Sequence, residues 1–166
     1  MSNLIEAANA TSGVPLMRII HPSDFTAASR IAFTHALKIA LHAKAELEIV
    51  HVHRHRAGNV SDVDWSDFPE VRATLARWNV VLAGAGAEQV AKTGLQVRKI
   101  LSAERDPLES LITYCEKYPP DLLVLATHQR EGFSRWLHRP VAEPLARRAH
   151  AMTLFVPTQG NGFIEP

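Results

Sequence analysis

The chain has 166 residues, 46% of them apolar and 21% charged, with a formal net charge of +1. That length suits one domain with a real core and is short for two, and the near-zero charge lends no support to a polyanion-binding role. A single cysteine, Cys115, excludes an internal disulfide framework and fits a reducing compartment.

The first stretch, MSNLIEAANATSGVPL, lacks the basic start and long apolar core of a signal peptide. Residues 1–16 are expected to form a flexible leader. RIIHP (18–22) is a short apolar run ended by proline and reads as a buried strand. In SDFTAASRIAFTHALKIALHAKA, the positions Ala28, Ile31, Ala32, His35 and Leu37 to Ile39 recur at helical spacing. Ser23, Asp24 or Thr26 can cap that helix. ELEIVHVH (46–53) alternates and is the second strand. After a polar loop, residues 67–94 read as one long helical segment, weakened by Gly84 and Gly86. LQVRKILS (95–102) is the third strand. DPLESLITYCEKY starts a helix with Asp106 at the cap and Pro107 at the first helical position. PPDLLVLATH holds the fourth strand, 141–150 the last helix, AMTLFVP (151–157) the fifth strand, and QGNGFIEP (159–166) is a polar tail or linker. No apolar run reaches the roughly 20 residues that cross a bilayer, so no membrane partner is expected, and the expected location is the cytoplasm.

Strands alternating with helices imply parallel pairing through right-handed crossovers. The expected architecture is a three-layer α/β/α open sheet of five parallel strands, Rossmann-like in outline. Such sheets bind ligands beyond the carboxyl ends of their strands, where the strand order reverses. That rim gathers residues 21–24, 51–55, 101–106 and 126–140.

Four segments along the chain resemble the universal stress protein family. IIHPSDFTAASRIAFTHALKIA is similar to the family's opening strand, Pro-(Ser/Thr)-Asp turn and alanine-rich helix. ELEIVHVH is similar to its second strand. RDPLESLITYCEKYPPDLLVLATH resembles its Asp-Pro helix and following strand. ATHQREGFSRWLHRPVAE resembles its Gly-Thr-His-Gly loop and Val-Ala-Glu helix. The resemblance covers residues 17–157, so a family-like domain is expected over 17–158. It implies the strand order 3-2-1-4-5 of the adenine nucleotide alpha hydrolase-like fold. It also implies a homodimer formed through the last strand, Met152 to Val156, and allows for a second domain in tandem.

In the nucleotide-binding branch of that family the loop after the fourth strand reads Gly-x2-Gly-x9-Gly-(Ser/Thr). Those four positions are Ala126, Gln129, Arg139 and Pro140 here. Glycines let a backbone take positive φ and approach phosphates closely, and successive amides form an anion nest. Gln129 resists that geometry, and Pro140 removes an amide donor from the first turn of the helix. Thr127, His128 and Gly132 keep common family choices. The resemblance also places Pro22, Ser23 and Asp24, and the backbone of Val50 to Val52, at the adenine end. Arg130, Arg135, His138 and Arg139 surround the loop, and arginine can grip a phosphate without glycines. The candidate ligand residues are therefore Pro22, Ser23, Asp24, Val50, Val52, Ala126, His128, Gln129, Arg130, Gly132, Arg139 and Pro140. A solvated basic loop is the bland alternative.

HVHRH (51–55) puts histidines at i, i+2 and i+4. His21, His51, His53 and His128 are weak metal candidates against the plainer reading of hydrogen-bonded core or rim residues. Asp24 could serve as a general base, but nothing positions a nucleophile for it, Ser23 with His21 or His128 lacks a recognisable triad order, and a helix-capping role fits better. Cys115 and Trp78 are expected in the core. The leading expectation is a regulatory, small-ligand-binding domain of stress response without standard ATP binding, not an enzyme, with no certain cofactor and no nucleic-acid partner. Two alternatives stand beside it. One is an ATP- or AMP-binding switch or slow ATPase using the arginine-rich loop; the other is a protein-interaction module.

Overall fold

The computed structural model describes residues 18–54, 65–104, 106–127 and 141–157. Five strands form one parallel sheet: β1 (Arg18–Pro22), β2 (Glu46–Arg54), β3 (Gln96–Glu104), β4 (Leu122–Thr127) and β5 (Met152–Pro157). Their order is β3-β2-β1-β4-β5, so β1 lies at the centre and the order reverses between β1 and β4. The sheet matches the expected order, and the ends of the strands fall within three residues of those expected, β4 starting at Leu122 rather than Pro119.

Helices cover both faces. One layer holds α1 (Ala27–Ala43), α2 (Val71–Arg77) and α3 (Ala87–Ala91), which pack with Ile19, Leu47 and Ile49. The other holds α4 (Pro107–Lys117) and α5 (Ala142–Arg148), which pack with Ile20, Val50, Val52 and Leu123. Successive strand residues thus serve opposite layers, as the pleat requires. Each fully buried Leu or Phe in these layers contributes roughly 1.5–3 kcal/mol of transfer free energy.

The buried face of α1 differs from the expected one. Ser29, Ala32, Phe33, Ala36, Leu37 and Ala40 are buried, while Ala28, Ile31, His35 and Ile39 flank the face half-exposed and Lys38 is exposed. Ala32 and Leu37 are among the expected positions; Ser29, Phe33, Ala36 and Ala40 are not. Close approach to the central strands calls for alanines, and the isoleucines close the sides of the contact. Thr26, of the three candidates, is the cap: its Oγ1 accepts the Ser29 N–H at 3.2 Å. At the other end Lys44 takes φ 52° and Ala45 N–H reaches back to Ala40 O, closing a left-handed C-terminal motif.

The long helix expected over 67–94 is two short helices. After α2, Asn79 adopts φ 57°; its N–H bonds Ala76 O and the Val80 N–H bonds Leu75 O. That pair of bonds is a Schellman stop, and asparagine is the side chain most tolerant of the left-handed position after glycine. Gly84, at φ 78°, turns the chain again before α3. Cys115 and Trp78 lie as expected, Cys115 buried and Trp78 half-buried against the core.

At the amino end of the strands sits a charged network. Glu48 on β2 has no solvent exposure, and its carboxylate accepts from Arg98 (3.0 Å) and from the Tyr114 hydroxyl (3.0 Å). Arg18 Nε lies 3.8 Å from Glu48 Oε1, beyond hydrogen-bond reach, so that attraction is Coulombic. Among the described residues, no helix is long and apolar enough to cross a membrane.

Candidate functional site at the carboxyl rim

The rim begins where β1 meets Pro22. Ser23 follows and is buried on every side. Its N–H donates to Val50 O at 2.8 Å, and its carbonyl accepts from His51 Nδ1 at 2.7 Å. Its hydroxyl lies 2.9 Å from Ser29 Oγ. Ser23 therefore ties β1, β2 and α1 together at one point. Asp24 is half-buried, and its Oδ1 accepts from the Thr26 N–H (3.1 Å) and the Thr26 hydroxyl (2.6 Å). This braces the turn into α1, an arrangement asparagine and aspartate favour.

Phe25 bridges turn and strand with φ 63°, a conformation that is strained for a bulky residue. Contacts hold it there. Its ring stacks on His51 with centroids 4.0 Å apart and planes at 18°, and meets Phe68 edge-on at 5.0 Å. Lys99 Nζ stands 5.5 Å from the Phe68 centroid, and burial lowers its pKa. Burial also lowers the His51 pKa, so the stack is built on a neutral imidazole at neutral pH.

His21 is fully buried, its Nδ1 3.0 Å from Val124 O and its Nε2 3.4 Å from Ser29 Oγ. Burial pulls its pKa down to about 4, against weaker opposing effects from the Val124 carbonyl and Asp24. With both nitrogens turned to protein partners, His21 has none to offer a metal. His53 is half-buried, its ring centroid 6.4 Å from that of His51. Among the described residues, no group of three or more His, Cys, Asp and Glu side chains is placed to hold a metal ion.

Of the residues named from sequence, the structure brings together Pro22, Ser23, Asp24, Val50, His21 and His51. The Val50 and Val52 side chains turn into the opposite core layer, and the Val50 carbonyl is already taken by Ser23. Ala126 and Thr127 end β4 half-buried, Thr127 donating to Val156 O at 3.2 Å. His128, Gln129, Arg130, Gly132, Arg135, His138, Arg139 and Pro140 lie outside the described residues, as do His55, the leader 1–16 and the tail 159–166. Sequence reasoning missed Ser29, Phe25, Phe68 and Lys99. Ser29 carried a signal: a lone hydroxyl on the buried stripe of α1 must find a polar partner.

Solved structures share this fold. UspA from Lactobacillus plantarum superposes with a TM-score of 0.56 at 20% identity, over 87% of this chain and 99% of that one. A universal stress protein in complex with cAMP gives 0.56 at 20%, over 87% and 98%. A family protein from Burkholderia pseudomallei gives 0.53 at 25%, over 87% and 98%. No curated protein matches the chain. The sequence pattern of the universal stress protein family matches residues 15–157. With that match over most of its length and the family's sheet beneath it, the chain belongs to the universal stress protein family.

Proposed function

We propose that this chain is a cytoplasmic regulatory domain of stress response that seats a small ligand at the carboxyl rim and does not hold ATP in the family's usual way. One observation carries the reading. The wall formed by Pro22, Ser23 and Asp24 is fully built, with every polar atom of Ser23 engaged, while the loop positions Ala126, Gln129, Arg139 and Pro140 lack the residues of a phosphate nest. A ligand at this rim would meet the Pro22–Asp24 turn, and the sequence offers Arg130, Arg135 and Arg139 as anion-binding candidates in place of glycine amides. The solved relative that holds cAMP makes an adenine nucleotide with a small anionic part the first probe.

Calorimetric titration with ATP, AMP and cyclic AMP, with and without Mg²⁺, tests the reading. Binding of AMP or cyclic AMP in preference to ATP is expected. Micromolar ATP affinity in the parent chain would sink the claim about the loop. The triple change Gln129→Gly, Arg139→Gly, Pro140→Ser is expected to tighten ATP binding at least about tenfold, or roughly 1.4 kcal/mol.

The same proposal makes the protein a homodimer through β5. Among the described residues that strand pairs with β4 alone, and Met152 is 64% and Phe155 42% exposed. An apolar open edge favours a second copy. Sedimentation equilibrium is expected to return twice the chain mass; a monomer at concentrations on the order of tens of micromolar rejects the dimer.

A further inference from the structure

The pairing of β1 with β4 stops early. β1 pairs with β2 through all five of its residues, but with β4 only at Ile19↔Leu122 and Ile20↔Leu123. The next bond of such a parallel ladder would run from the residue-22 N–H to the residue-124 carbonyl. Residue 22 is proline and has no N–H. His21 Nδ1 reaches Val124 O instead, at 3.0 Å. A side chain thus replaces the lost ladder donor at the place where the strand order reverses.

The directions of the connected hydrogen bonds follow from chemistry. A carbonyl only accepts, so the proton of the His21 ring is on Nδ1. A ring this deeply buried, with a pKa near 4, is neutral at neutral pH, which makes Nε2 an acceptor. Ser29 Oγ, 3.4 Å away, therefore donates to it. Ser29 has one hydroxyl proton, so Ser23 Oγ, 2.9 Å away, donates to Ser29. Ser23 Oγ is then the acceptor for the Phe25 N–H at 3.4 Å. A single order satisfies every contact: Phe25 to Ser23 to Ser29 to His21 to Val124. Bonds aligned in this way polarise one another.

We infer that His21 is a positioning residue: with Ser23 and Ser29 it forms a one-way hydrogen-bond strut that fixes the Ser23–Asp24 turn against β4, one wall of the rim against the other. The strut runs beneath the candidate seat, and its effect on ligands rests on the reading of the rim given above. Its existence does not, and the test keeps the two apart.

Long-range ¹H–¹⁵N spectra of the full chain at pH 7 are expected to show His21 neutral with the proton on Nδ1. A charged ring, or a proton on Nε2, overturns the strut. Ser29→Ala is expected to shift the amide resonances of Ala126 and Thr127 along with that of Phe25, and Ser29→Thr to restore them. Thr34→Ala, which removes a hydroxyl bonded only to Ile31 O in the same helix, is expected to leave Ala126 and Thr127 unmoved. Shifts confined to α1 in Ser29→Ala, or equal shifts from Thr34→Ala, overturn it as well. With AMP as the probe, Ser29→Ala is expected to weaken binding at least threefold at unchanged fold. Unchanged AMP affinity in Ser29→Ala overturns the positioning role. A parent chain that binds no nucleotide rejects the seat, and the tautomer and the β4 shifts then decide the strut alone.

Discussion

The two ends of the same central strands are both polar and both buried, but they are built from opposite materials. At the amino end Glu48 sits among Arg18, Arg98 and Tyr114, a network of formal charges. At the carboxyl end His21, Ser23, Ser29 and His51 are linked with no formal charge among them at neutral pH. A buried charge is costly to strand without its partner, so the amino end is committed to one geometry. Each neutral hydrogen bond carries less energy than a buried ion pair, and the Asp24 carboxylate of the adjoining turn places a formal charge beside this group. The difference separates an end tied by formal charge from the end where the proposed ligand would sit.

The contrast is broken most directly at Glu48. Glu48→Ala removes a fully buried carboxylate that anchors α4 to β2 through Tyr114. Urea denaturation is expected to show a loss of about 3 kcal/mol, the lower part of the range for an interrupted buried pair because Arg98 is half in water. Nucleotide titrations at the rim should move by less than the error of the measurement. A large change in affinity would mean that the two ends are not separate.

The rim is sharpened by pH, with a smaller effect. His21 ordinarily titrates near 6.5 and in the fold near 4, so the unfolded chain takes up its proton first as pH falls. Its stabilising contribution is complete above pH 6.5, declines as pH drops through that value, and levels off below pH 4. Between pH 7 and 5 this amounts to about 2 kcal/mol, from the shift alone. His51, whose pKa is also lowered by burial, adds in the same direction. Denaturation midpoints of the parent and of His21→Gln over pH 7 to 5 measure it. The variant is expected to lose the larger part of the slope; an unchanged slope would place the titrating group elsewhere.

Much of the fold was legible because it depends on pattern. Alternation in ELEIVHVH, the Asp106-Pro107 start and the run DLLVLA each identify an element without reference to the rest of the chain, and strand–helix alternation then leaves little choice of architecture. The helix over 67–94 was misread because its stop is at Asn79, a residue whose left-handed conformation is decided by tertiary packing as much as by type. The face of α1 was only partly legible because an alanine-rich helix offers more than one apolar stripe, and contact with the sheet decides which is buried. At the rim, Pro22, Ser23 and Asp24 were visible through a resemblance. His21 was noticed for its chemistry as a metal candidate. Its bond to Val124 depends on a partner 103 residues away and on a donor that proline lacks, and neither is a local property of the string.

Cys115 closes this comparison with a practical consequence. It is the chain's single thiol, on the buried face of α4 with Leu111 and Ile112, and burial pushes its pKa up to about 11. Such a sulfur reacts only when α4 lifts from the sheet. The protein therefore carries its own stopwatch: the rate of alkylation counts the openings of the layer that Glu48 anchors, with no label added.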